Sequence, residues 1–138
     1  MTGVTESVLL GPYNDQVRAL FQDPRHAADA ATGKGRRHEA RASESAAGAQ
    51  VLLIGIVSEG AIAALRFRAF GCPHLIAAAE MTCERFEGEM VNRLRDFNVS
   101  DLMERLGVPV EKTGRILLLE DAVRALLSQM GGSATNGD

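Results

Sequence analysis

Four consecutive residues, Gly71-Cys72-Pro73-His74, bring together the types that thiol chemistry needs at a point where a strand pattern gives way to a helix. Arg66–Phe70 alternates arginine with aromatic or small residues, Gly71 permits a tight corner, Cys72 falls where a helix N-cap belongs, and Pro73 suits the first helical position because its φ is already fixed there. Unpaired amides and the positive end of a helix dipole favour a thiolate, so Cys72 is expected to have a depressed pKa and to act as nucleophile or metal ligand. The competing reading is a free cysteine packed as a small hydrophobe. His74, two positions on, is a base or nitrogen ligand if it reaches the thiol, and otherwise a solvated first-turn residue. Cys72 and His74 are thus the candidate metal ligands.

Other chemically capable residues carry weaker signals. Cys83 follows Cys72 by eleven positions, about 16 Å along one helix, whereas bridged cysteines need Cα atoms within about 7 Å. It shares an apolar stripe with Ile76, Ala79 and Phe86 and is assigned to the core. His26 and His38 lie in poorly patterned segments, and no Cys/His pair has the short spacing of a structural zinc site, so a zinc centre would have to be assembled from distant segments. Lys34–His38 (KGRRH) reads as a solvated basic loop, and Glu120-Asp121 as surface carboxylates, since adjacent helix positions point about 100° apart.

The elements that must position this chemistry are legible in outline. Tyr13–Phe21 has helical spacing with Asn14 as its cap and should stop before Pro24, while Arg25–Arg37 has no clear period and reads as loop. His38–Ser45 alternates weakly, as an edge strand would; Val51–Val57 and Ala61–Phe70 form a hairpin about a Ser58–Gly60 turn. From Pro73 the period becomes helical, with Leu75, Ile76, Ala79, Cys83 and Phe86 on one stripe, Glu80, Glu84 and Glu87 mostly off it, and Gly88 as the stop. Ser100 is placed as the cap of a helix ending at Gly107, Pro109 breaks the chain, and Arg115–Met130 forms a last helix across the sheet. Strands followed by segregated helices indicate an α+β domain, with a small antiparallel sheet of about three strands packed by helices. The 138 residues are read as a single domain, ordered over about 11–130 with a flexible tail at 131–138.

Composition narrows the functional classes. A net charge of -3 gives no electrostatic reason to expect nucleic acid, and aromatics at 4% argue against base stacking. No apolar run approaches the roughly 20 residues of a membrane span, and the opening MTGVTESVLLGPYND lacks a basic region before its apolar patch. A cytoplasmic location with reduced thiols is therefore expected.

Four blocks, in order, resemble the IscU/NifU N-terminal family of iron–sulfur cluster scaffolds. YNDQVRALFQDPR resembles the family's opening helix and its NPR end, RFRAFGCPHLIAAAE its strand and GC signature, Phe86-Glu87-Gly88 the close of that helix, and LLLEDAVRAL its last helix. The resemblance implies an IscU/SufE-like fold and a non-enzymatic scaffold. It further implies a [2Fe–2S] cluster or iron as cargo, a cysteine desulfurase as sulfur donor, and an Hsp70-type chaperone as a further partner of a monomer or homodimer. By the same resemblance three cysteines, an aspartate and a histidine hold the cluster. Only Cys72 is kept: the first cysteine and the aspartate fall on Ala47 and Ala49, the histidine on Gly114 and the third cysteine on Arg115. The chaperone-docking LPPVK is matched by Val108-Pro109-Val110-Glu111-Lys112, which keeps one proline and the lysine. A cluster ordinarily needs four ligands, so the resemblance implies either a contact through the single Cys72 completed from outside the chain, or an adaptor or regulator that builds no cluster. Arg115 beside Cys72 would stabilise a thiolate or persulfide and repel iron.

Overall fold

The computed structural model describes residues 13–132. The opening apolar patch and residues 133–138 of the expected flexible tail lie outside them. In chain order the elements are α1 (Asp15–Gln22), β1 (Arg36–Glu44), β2 (Ala49–Ser58), β3 (Ala61–Phe70), α2 (Pro73–Phe86), α3 (Val99–Leu106) and α4 (Thr113–Leu127). The strands form one antiparallel sheet in the order β1-β2-β3, the α+β arrangement expected.

Two-residue alternation gives the sheet two distinct faces. Val51 and Leu53 of β2, Phe67 of β3 and Ala40 of β1 point to one side, where Leu53 stands opposite both Ala40 and Phe67. This face is covered by α2 and α4 through Leu75, Ala79, Ile116, Leu119 and Val123, all buried. Truncating Phe67 to alanine in such a packed site costs about 3–5 kcal/mol. Gly55 on the same face leaves room for the methyl end of Met130. The hairpin turns through Glu59 and Gly60 at φ 54° and 80°, the left-handed pair that matches strand twist.

The opposite face is covered from the segment expected as loop, which forms no helix or strand before Arg36. Ile54, Ile56 and Ala64 are covered by Ala31, so the loop between α1 and β1, largely exposed itself, lays one buried residue over this face as a lid. It is anchored by a short parallel bridge in which Ala28 N–H donates to Phe67 O and Phe67 N–H donates to His26 O, both at 3.0 Å. A single alanine supplies that cover with no need of a helical or strand period. The basic run is likewise divided: Arg36–His38 open β1, with Arg37 paired to Glu39.

Helix boundaries follow their caps. Asn14 Oδ1 accepts from Val17 N–H at 2.8 Å, and the helix ends before Pro24 as expected. For α3 the cap is Asn98 and not Ser100, because its Oδ1 accepts from Asp101 N–H at 2.7 Å and starts the helix at Val99. The last helix runs from Thr113 to Leu127, and Ser128–Gly132 follow it as a wider turn kinked at Gly131, φ 106°, which includes the first two residues of the expected tail.

Gly35 enters β1 at φ +135°, and a Cβ there would collide with the carbonyl oxygen of Val57 and lie 2.9 Å from Ile56 Cγ2; at Gly33, φ +141°, a Cβ would meet nothing within 4 Å. Both alanine variants carry backbone strain of about 1–3 kcal/mol, and Gly35→Ala adds the clash. Urea unfolding should therefore show Gly35→Ala less stable than Gly33→Ala by about 1–2 kcal/mol. Equal losses would mean that the approach of Gly35 to Val57 is not a constraint.

Candidate functional site

The corner between β3 and α2 forms as its residue types dictate. Gly71 takes φ +142°, a conformation that glycine tolerates, and a Cβ there would stand 3.2 Å from Leu75 Cδ2 and 3.5 Å from the Cβ of Ala49. Cys72 follows as the N-cap at φ -79°, ψ 160°, with its carbonyl accepting from Leu75 N–H at 3.0 Å and Ile76 N–H at 3.3 Å. Pro73 occupies the first helical position. The thiol itself makes no capping hydrogen bond, so the backbone fits the expectation while the expected amide contact to sulfur is not made. Cys72 is half-buried.

His74 is not the solvated residue expected. It is 4% exposed, and its ring packs edge-on against Tyr13 with centroids 4.6 Å apart. Burial, and then the charge of Lys112, lower its pKa and hold the imidazole neutral. Its Nδ1 is buried without a hydrogen-bond partner among the described residues, and no hydrogen bond there joins it to Cys72. Cys83 is fully buried in the core, where burial pushes its thiol well up from its ordinary value, with Glu80 and Glu87 adding to the effect.

The positions at which the resemblance implies the family's ligands converge in space. Ala47, Ala49, Gly114 and Arg115, with Glu44 and Leu118, line one open cleft of about 320 Å³. The short turn Ser45–Ala47 and the left-handed Gly48, φ 65°, bring Ala47 and Ala49 to one wall; the first turn of α4 forms the other. Cys72 stands beside this cleft and not in its lining, since Gly71 abuts the Ala49 wall. The walls offer no thiolate or imidazole, only the Glu44 carboxylate and the Arg115 guanidinium, whose Nε is buried without a partner among the described residues. That donor set does not fit a cluster held within one chain: a guanidinium has no lone pair to give iron, and the cleft lacks the thiolates.

A second cluster was missed by sequence reasoning. His26 contacts Glu80 and Glu87 through its two ring nitrogens, and Glu84 lies beside Glu80. Glu80, placed off the apolar stripe by its charge, is completely buried. Its one sequence signal is a carboxylate within the otherwise apolar run Leu75–Met81, followed by Glu84 and Glu87 on the same side of α2.

Comparison with known structures places this architecture first by fold. A nitrogen-fixing NifU-like protein (N-terminal) from Brucella abortus superimposes with a TM-score of 0.65 at 14% identity, over 86% of this chain and 94% of that one. The chain belongs to the family described as the NifU-like N terminal domain, whose model matches residues 12–135. It is similar to the iron–sulfur cluster assembly scaffold protein IscU of Escherichia coli K12, 30% identical over 77 residues, or 56% of this chain and 60% of that protein's length. It is also similar to the iron–sulfur cluster assembly enzyme IscU of Drosophila melanogaster, 24% identical over 129 residues, with 89% of this chain and 80% of that protein covered. Among the described residues no helix is long and apolar enough to cross a membrane.

The contrast between the two cysteines is directly testable. Iodoacetamide applied to the native protein near pH 8 should alkylate Cys72 at least about tenfold faster than Cys83, because the thiolate is the reacting form and Cys83 is both buried and held protonated. Peptide mapping checks it, and comparable labelling would place Cys83 outside the core.

Proposed function

We propose that this protein acts in iron–sulfur cluster assembly as a scaffold-type carrier in which Cys72 is the one contact to sulfur, iron or a nascent cluster. The observation that supports this is the position of Cys72: of two cysteines, it is the one outside the core, on the corner that abuts the ligand-position cleft. Sulfur uptake there needs no cluster. The Cys72 thiolate attacks the outer sulfur of a donor persulfide, an S–S bond forms on Cys72, and the donor cysteine leaves as a thiolate with no net change in oxidation state. A cysteine desulfurase is the donor that fits this step. His74 is a weaker candidate ligand: its neutral, unpartnered Nδ1 is chemically able to bind a metal, but burial against Tyr13 separates it from the open cleft.

Holding a cluster would require ligands from a second chain or from small thiols. The Arg115 wall favours a second reading, in which the chain occupies a desulfurase or a cluster-transfer partner as an adaptor and assembles nothing. An Hsp70-type chaperone reading an LPPVK-like segment would meet Pro109 and Lys112 in the short turn before α4, with Val110 82% exposed between them. In either role the protein is a carrier or adaptor and not an enzyme, and a cytoplasmic setting with reduced thiols suits it.

Anaerobic incubation with ferrous iron, sulfide and a desulfurase, followed by visible absorption, separates the readings. The scaffold reading expects a chromophore in the wild type that is lost in Cys72→Ser. Retained desulfurase binding with no chromophore in either protein would transfer the assignment to the adaptor.

A further inference from the structure

The most concentrated set of metal-binding atoms among the described residues lies away from the Cys72 corner, where the lid segment meets α2. Glu80 Oε1 accepts from the backbone N–H of His26 at 2.7 Å, and its Oε2 lies 2.7 Å from His26 Nδ1. Glu84, one turn further along α2, joins them, so that one ligand atom each from His26, Glu80 and Glu84 falls within 4.8 Å of the others. We propose that His26 Nδ1, with one carboxylate oxygen from Glu80 and one from Glu84, forms a binding site for a first-row divalent cation, with water completing its shell.

Three further observations support a cation site over a simple ion-pair clasp. The first is the far side of the imidazole. Nε2 stands 3.0 Å from Glu87 Oε1, while Glu87 Oε2 accepts from Leu65 N–H at 2.9 Å and from Arg66. A carboxylate held on the protein and placed to accept the Nε2 proton would keep that tautomer once a metal takes the Nδ1 lone pair, the outer arrangement that metal-binding histidines use. Secondly, Glu80 and Glu84 are like charges one turn apart on a helix, a pairing that is unfavourable unless a cation or proton lies between them. Thirdly, the site is anchored at one end and open at the other. Glu80 is fully buried, whereas Glu84 is exposed to solvent, from which a hydrated ion can reach it.

The ligand set selects the class of ion. One imidazole nitrogen and two carboxylates suit Mn²⁺, Fe²⁺, Co²⁺ or Zn²⁺ and lack the thiolates that soft ions prefer. Without a cation, a second proton on the imidazole takes its place. Burial pulls the His26 pKa down, but the hydrogen bonds and charges of Glu80 and Glu87 outweigh it and raise the value overall. A bound metal would then fasten the lid to α2 through coordinate bonds.

The experiment is Co²⁺ titration of Cys72→Ser protein, followed by visible absorption and calorimetry; removing the thiol separates this site from the sulfur chemistry of Cys72. The expected result is one Co²⁺ per chain, displaced by Zn²⁺. Glu84→Gln, at an exposed position that should leave the fold intact by circular dichroism, should weaken binding about tenfold or more, and Glu87→Gln by about 10–100-fold through the histidine it orients. Glu111→Gln, an exposed acid outside the cluster, should leave affinity unchanged. Absence of Co²⁺ binding, or equal affinity in Glu84→Gln, would overturn the proposal and leave the group as an ion-pair clasp.

Discussion

A carboxylate withdrawn from water must be paired, and Glu80 meets that requirement with a single residue 54 positions earlier in the chain. The backbone and ring of His26 together engage both of its oxygens. That pairing fixes where the segment after α1 crosses β3, and with it the cover that Ala31 gives to Ile54, Ile56 and Ala64. A three-stranded sheet has too little surface of its own to bury, so both faces need cover. The helices supply one and the His26 segment the other. Removing one partner from this arrangement would leave a buried charge uncompensated, which costs more than the pair itself contributes.

The same pairing shows where sequence reasoning stops. The hairpin, the corner and the helix from Pro73 were legible because each depends on local chemistry: Glu59 and Gly60 for the turn, Gly71 for the corner, Pro73 for the helix start. Asn14 was equally plain. Ser100 was misplaced as a cap because Asn98 competes two positions earlier and its oxygen reaches the amide of Asp101. Glu80 was read as surface because periodicity sorts residues by charge, and it cannot register a partner that arrives from another segment. His74, read as a candidate ligand or else a solvated residue, is buried for a related reason, since its cover comes from Tyr13, far away in the chain. The lid was invisible because alanine packs without a period.

The cleft is a different case. Neither spacing nor hydropathy connects Ala47, Ala49, Gly114 and Arg115; family resemblance did, and the fold brings all four to one cavity. At the positions where the resemblance implies donors, the cleft carries methyl groups, a glycine and a guanidinium. The turn at Ser45–Ala47 and the start of α4 supply the backbone that brings these positions together. Cys72 stands at the Gly71-Cys72-Pro73 corner, which is the joint between sheet and helix.

The sheet's outer edge adds a consequence for the life of the chain before it is fully folded. β1 pairs only with β2, so its other side carries backbone groups without a neighbouring strand in the sheet, a surface on which another extended chain could dock. Along β1 stand Arg36, Arg37, Glu39, Arg41 and Glu44, all exposed, with Ala40 the sole buried residue of the strand. Charge at that density makes strand addition by a second copy costly in desolvation. The residues that made this segment hard to recognise as a strand are therefore those that keep it from recruiting others into a growing aggregate.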